Sequence, residues 1–327
     1  IGYPPLYYIY LVHEIILALI LFWFISLLVL KKYSRLLEIL TLSLLILLVI
    51  LPPINKSLAP EYASEFNGNL TVHTDYLVKE IGERPFLSEN EKKAAAYIED
   101  VLQKKGFSPI HYSNGTILAF VEGKKEDIVI FCAHYDTVPN SPGADDNASG
   151  VSVLLELTVP ENPEHTIVIA FFTGEEVGLV GSRSCALELD NVSGVICVDT
   201  VGIGKDFHIS SLKKNRSVSF FLSQVVYGLS DSAIPSIGPL YSDHVPFNER
   251  GIKAVGLTRS TQREYPHIHS EMDSTVDADT LEKTGETVQE ILDHFSYSGS
   301  PYSFVYESLI FSGIISGILA FFIENLM

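Results

Sequence analysis

The chain has 327 residues, enough for one large α/β domain with additional segments. Hydrophobic residues make up 47%, high for a soluble enzyme, and the excess gathers at the two ends. Twenty-two Lys and Arg against 40 Asp and Glu give a formal net charge of −18, which argues against a nucleic-acid partner, since that would be drawn to basic surface.

Three segments reach the ~20 apolar residues that cross a bilayer: roughly 6–30, 36–54 and 304–323. The first two are apolar on every face and so do not read as amphipathic surface helices. The first has neither a basic stretch before it nor a small-residue cleavage site after it, which argues against a signal peptide. The chain opens on Ile1, which leaves open whether residues precede it. Between the first two spans lies Lys31-Lys32-Tyr-Ser-Arg35, a basic loop expected to stay cytoplasmic. The expectation is therefore an integral membrane protein with a membrane hairpin (1–57), a large extracytoplasmic domain (58–300) and a C-terminal span (301–327). Gly313-Ile-Ile-Ser-Gly317 is a small-residue stripe suited to packing against the first two spans or to homodimerisation. Asn-x-Ser/Thr sequons begin at Asn55, Asn69, Asn114, Asn147, Asn191 and Asn215, in mild agreement with an external domain. Cys132, Cys185 and Cys197 have no zinc-finger spacing and read as buried small hydrophobes.

The middle region alternates helix and strand. Ser88-Glu-Asn-Glu opens a helix with a capping-box pattern and runs to about 105. Strands are expected at 116–121, 128–132, 166–172, 194–198, 207–209 and 253–257. Helices are expected at 147–157, 178–187, 217–229 and 279–295, with linkers at 60–64 and 296–302. Short apolar strands between helices imply a mostly parallel sheet covered on both faces.

Acids and histidines cluster where these strands run out. His134-Tyr-Asp136, Gly143-Ala-Asp145-Asp146-Asn-Ala-Ser-Gly150, Gly174-Glu175-Glu176-Val-Gly178, Asp199 and His269-Ser-Glu-Met-Asp273 each follow an apolar run or sit at its end. Imidazole nitrogen and carboxylate oxygen are what zinc binds, and ligands at strand ends suit an open α/β sheet. A pair of ions ~3.5–4 Å apart needs a carboxylate to bridge them. Any one acidic pair is commonplace, but the ordered composite is specific. His267 competes with His269 as a ligand.

These motifs together resemble the M28 family of zinc peptidases, typified by bacterial secreted aminopeptidases, over roughly 76–295. The resemblance implies an αβα sandwich around a mixed, mostly parallel sheet and two zinc ions, with manganese or cobalt as alternatives on the same ligands. Carried over residue by residue, Asp145 bridges the metals, His134 and Asp199 complete one site, and Glu176 and His269 the other. Asp136 orients His134, and Glu175 is the general base. Tyr241-Ser-Asp243-His244-Val-Pro-Phe247 resembles the substrate-side loop. The function expected is a membrane-anchored aminopeptidase acting on peptide substrates. The alternatives are another activity on the same fold (carboxypeptidase, deacylase or glutaminyl cyclase) and a non-catalytic membrane scaffold.

Overall fold

The computed structural model describes residues 66–297, except 67, 113, 261–263 and most of 211–240. The three apolar spans, the basic loop and the Gly313/Gly317 stripe lie outside the described residues, as does most of the helix expected at 217–229. Among the described residues no helix is long and apolar enough to cross a membrane.

In chain order the elements are α1 (Leu70–Asp75) running into a π-helical turn (Tyr76–Ile81), α2 (Glu89–Lys104), β1 (Ile110–His111), β2 (Ile117–Val121) and β3 (Lys125–His134). Then come α3 (Gly150–Glu156), β4 (His165–Phe172), α4 (Val180–Glu188), β5 (Val192–Val198), β6 (Phe207–Ser210), β7 (Ala233–Pro235), α5 (His244–Glu249), β8 (Ala254–Thr258) and α6 (Ala278–Tyr297). One eight-stranded mixed sheet runs β1-β2-β4-β3-β5-β8-β6-β7. Its central strands β4, β3, β5 and β8 are parallel, and β2 and β6 flank them antiparallel.

Strand alternation divides the core between two faces. Val129, Phe131 and Ala133 of β3 join Ile167, Ile169 and Phe171 of β4 beneath α2, α3 and α6. Ile130 and Cys132 join Val168, Ala170, Phe172 and Cys197 on the other face, where Cys185 and Ala186 of α4 and Phe247 of α5 close over them. Burial on both faces explains why these strands read as continuous apolar runs, and it makes the molecule a three-layer sandwich. All three cysteines are buried and unbridged.

Local chemistry sets the boundaries. Ser88 Oγ accepts the Glu91 N–H at 3.0 Å, capping α2. The reciprocal half of the capping box is displaced, since Glu91 accepts from Leu87 N and from the Thr173 hydroxyl instead of Ser88 N. The helix expected from residue 147 begins at Gly150, because Asn147 is non-helical and its Oδ1 accepts the Gly150 N–H at 3.0 Å. Asn147 is buried, so its sequon has no room for a glycan. Left-handed Leu179 (φ 62°) delays α4 to Val180. Helix α6 continues to Tyr297, into the expected linker. α1, the π-helical turn, β1, β7 and α5 were not expected from the sequence, since they are too short to carry a periodic signal.

Candidate metal centre

The carboxyl ends of β3, β4, β5 and β8 open on the same side of the sheet, where an open α/β fold places its ligands. His134 is the last residue of β3, Glu175 and Glu176 follow β4, and Asp199 follows β5. The loop after β8 brings back His269.

The centre of the cluster is Asp146. Its Oδ1 lies 3.2 Å from His134 Nε2, and its Oδ2 lies 3.0 Å from His269 Nε2. His134 Nε2 is also 3.5 Å from Asp199 Oδ1, and His269 Nε2 is 3.2 Å from Glu176 Oε2. One carboxylate thus faces two groups, His134 with Asp199 and His269 with Glu176. Among the described residues, His134, Asp146 and Glu176 offer ligand atoms that all lie within 4.8 Å of one another.

Asp145, expected as the bridge, lies elsewhere. Its Oδ1 accepts the Gly202 N–H at 2.6 Å and its Oδ2 the Ser260 hydroxyl at 2.5 Å. Adjacent side chains on this kinked loop point apart, so only one of the two aspartates reaches the cluster. His267 also stays out; its ring packs edge-on to Tyr265 at 5.3 Å.

Two further carboxylates hold the ligand loops. Asp136 accepts the N–H of Glu175 at 3.1 Å and of Glu176 at 3.2 Å, and its Oδ1 is 3.5 Å from His134 Nδ1. Asp273 accepts the N–H of Asp145 at 2.9 Å and of Asp146 at 3.1 Å. Asp273 closes the His269-Ser-Glu-Met-Asp273 motif, and its bonds across more than a hundred residues leave no signal in the sequence. Gly143 makes the turn before Asp146 at φ +58°, where a Cβ would meet Asp146 O and Thr137 Cγ2 at 2.4 Å. His269 sits at φ +65°, a left-handed conformation uncommon for a non-glycine residue and often found at functional sites.

The electrostatics follow from crowded acids under low exposure. Burial opposes charge on His134, but Asp136, Asp146 and Asp199 outweigh it and raise its pKa well above the usual imidazole range. Burial works against the Asp146 carboxylate too, yet the two imidazoles hold it well below the ordinary range. Asp146 and Glu176 push His269 up to about 10, against partial burial. Burial raises Glu175 well above the usual glutamate, His134 opposes this, and Asp243, Asp199 and Glu176 add to it. Buried Glu176 Oε1 and Asp199 Oδ1 have no hydrogen-bond partner among the described residues. Buried carboxylate oxygens in that condition are costly unless a cation takes their lone pairs. The nitrogen and oxygen donors fit zinc. His134 is buried while the His269 side chain is 47% exposed, so the cluster opens to solvent on the His269 side.

The expected substrate loop is mostly beneath the site. Phe247 packs against Phe172 in the core, and Asp243 and His244 are fully buried. Only Tyr241 is exposed, and its hydroxyl accepts from Arg183 at 3.3 Å. Asp243 is pushed up to about 7 by burial and His244 down to about 3 by the same cause, and both side chains are closed off from solvent.

A three-layer sandwich with one carboxylate between two imidazole–carboxylate groups at its strand ends defines a metallohydrolase-type centre. The model of peptidase family M28 matches residues 116–292, more than half of the chain, and the chain belongs to that family. The aminopeptidase YwaD of Bacillus subtilis is 31% identical over 187 residues, covering 50% of this chain and 40% of the relative. A vacuolar membrane protease of Kluyveromyces lactis is 36% identical over 137 residues, covering 37% of this chain and 15% of the relative. The chain thus spans about half or less of the length of the curated relatives it matches. Among solved structures, a zinc aminopeptidase from Bacillus subtilis superposes with a TM-score of 0.57 at 18% identity, covering 69% of this chain and 95% of that one. A glutaminyl cyclase from Porphyromonas gingivalis superposes with a TM-score of 0.55 at 23% identity, covering 69% and 96%. These two structures speak for the fold.

Proposed function

We propose that the chain is an aminopeptidase that removes N-terminal residues from peptides at a pair of divalent cations, most simply zinc. The observation that carries this reading is Asp146, with one oxygen toward His134 and Asp199 and the other toward His269 and Glu176. Asp146, and not Asp145, would then be the carboxylate shared between the two cations. Cations held by these residues would acidify a bound water and polarise a carbonyl. Glu175, fixed through its backbone by Asp136, is the base that takes a proton from the attacking water and returns it to the leaving amine. Asp136 also fixes the orientation of His134. The acidic opening beside His269 suits a protonated α-amine.

Purified protein would be assayed on peptides with free and blocked N-termini, with and without chelator. Chelator-sensitive release from free N-termini alone supports the reading. The same assay tests glutaminyl cyclisation, the activity of a protein that shares this fold: a peptide beginning with glutamine would lose one ammonia without chain cleavage.

We also infer membrane anchoring with the catalytic domain outside the cytoplasm, from the apolar spans and the basic loop at 31–35. The similarity to a vacuolar membrane protease agrees with it. In sealed vesicles with the cytoplasmic face outward, the domain would resist added protease until the membrane is permeabilised; digestion in intact vesicles would reverse the orientation.

A further inference from the structure

The structure assigns Arg84 as a positioning residue that holds the end of β3 and the loop leading to Asp146 at the spacing the metal pair requires. The inference rests on the metal reading above.

Arg84 is fully buried and no sequence motif singled it out. A buried guanidinium is costly to desolvate, so its N–H donors need good acceptors. Here every acceptor is a backbone carbonyl: Nε donates to Tyr135 O at 3.0 Å, Nη2 to Gly143 O at 3.1 Å, and Nη1 to Leu77 O at 3.2 Å, Gly82 O at 2.8 Å and Pro142 O at 2.7 Å, with one of its two hydrogens shared. Two of these segments carry the ligands. Tyr135 lies between His134 and Asp136, and Gly143 lies three residues before Asp146. Nε holds the first and Nη1 and Nη2 hold the second, so a single rigid plane spans both. The backbone locks the plane in place, since Arg84 N donates to Thr137 Oγ1 at 2.8 Å and Thr137 N donates to Arg84 O at 3.1 Å. The fit is close on the loop side, where a Cβ on Gly143 would stand 3.1 Å from Arg84 Nη2.

A hydrophobic side chain would fill the same volume at lower desolvation cost. It would leave the inward-facing carbonyls of both loops without donors. Lysine keeps the charge but offers a point, not a planar fork, so it cannot span both loops with the same geometry. Asp136, Asp273 and Asp146 offset the charge at longer range, which places the cation among the acids of the site.

The test uses the full chain stripped of metal and titrated with zinc against a competing chelator, with cobalt(II) as a spectroscopic probe. Arg84→Lys is expected to fold cooperatively, to lose about 10–100-fold in zinc affinity, as for other residues that orient ligands, and to shift the cobalt d–d bands. Wild-type affinity and spectrum, even with a lowered Tm, would make Arg84 a stability residue only and overturn the proposal. Should Arg84→Lys not fold, Thr137→Val decides. It keeps the guanidinium, removes one bond that seats it, and is expected to lose about 2–10-fold in zinc affinity; no loss overturns the proposal. Asp146→Asn is the control. Loss of zinc there with none in Arg84→Lys removes the role of Arg84 alone, whereas wild-type zinc binding there removes the metal reading and this role with it.

Discussion

The carboxylate of Asp136 accepts the backbone N–H of Glu175 at 3.1 Å, and so ties the end of β3 to the loop after β4. Its other oxygen takes the N–H of Glu176 at 3.2 Å. A carboxylate can serve both donors because it is acceptor-only when ionised. Asp136→Asn turns one oxygen into an NH₂ that faces a backbone N–H, donor against donor. The expected result is a loss of about 10–100-fold in zinc affinity or kcat with the fold retained. Zinc titration and steady-state kinetics on the variant check this, and unchanged values for both would show that the bond is incidental.

The neighbouring aspartates Asp145 and Asp146 separate by what they touch. Asp146→Ala removes the one group shared by both halves of the cluster, so metal content is expected to fall by more than one ion's worth. Asp145→Ala leaves the cluster intact but strips the Gly202 N–H and the Ser260 hydroxyl of a buried acceptor. It is expected to keep its metals and to lose about 1–3 kcal/mol of stability for each donor left unsatisfied. Elemental analysis and chemical denaturation of the pair decide. Full metal content in Asp146→Ala together with loss in Asp145→Ala would return the bridging role to Asp145.

That pair also marks the limit of what the sequence discloses. The strands β2, β3, β4, β5 and β8 were legible because each is a short apolar run ending in a ligand or a turn, and such runs have few alternatives once burial on both faces is required. His134 and Glu176 were legible as residue types at strand ends. Asp145 and Asp146 are chemically identical and adjacent, and only the loop's kink decides which one turns inward. Arg84 and Asp273 act through backbone carbonyls and N–H groups far away in sequence, and such bonds leave no local pattern. The Tyr241–Phe247 segment misled for the opposite reason. Its polar residues look like a surface, but Asp243 and His244 are buried without a well-formed hydrogen bond to their carboxylate oxygens or ring nitrogens among the described residues.

His244 gives a pH prediction. Burial alone depresses its folded-state pKa to about 3, below the ordinary value of 6.5. Below pH 6.5 the unfolded chain takes up a proton that the folded chain refuses. The contribution of this group is therefore complete above about pH 6.5 and is lost as pH falls toward 3, at up to ~1.4 kcal/mol per unit. His244→Leu removes the proton-binding site and the two unpartnered nitrogens. Relative to wild type, the variant is expected to gain stability between about pH 7.5 and pH 5. Denaturant melts at both pH values test it, and a difference independent of pH would show that His244 does not couple to acid unfolding.

The reaction itself turns on Glu175. Gln has the shape of Glu but cannot accept the proton, and the backbone bond to Asp136 does not depend on the side chain. Glu175→Gln is therefore expected to keep wild-type metal content while kcat falls ~10²–10⁴-fold, the usual cost of a lost general base. KM should change little, since binding a peptide does not use the proton transfer. On the wild-type protein a peptide with a free N-terminus should shorten residue by residue from that end. Its N-acetylated counterpart should resist, because acetylation removes the positive charge that the acidic opening favours and adds bulk beside the cluster. Equal cleavage of both peptides, or release from the C-terminus, would reject the aminopeptidase assignment and leave a metal-dependent hydrolase. Undiminished turnover in Glu175→Gln would remove Glu175 from the chemistry and leave the choice of base to the other carboxylates of the cluster.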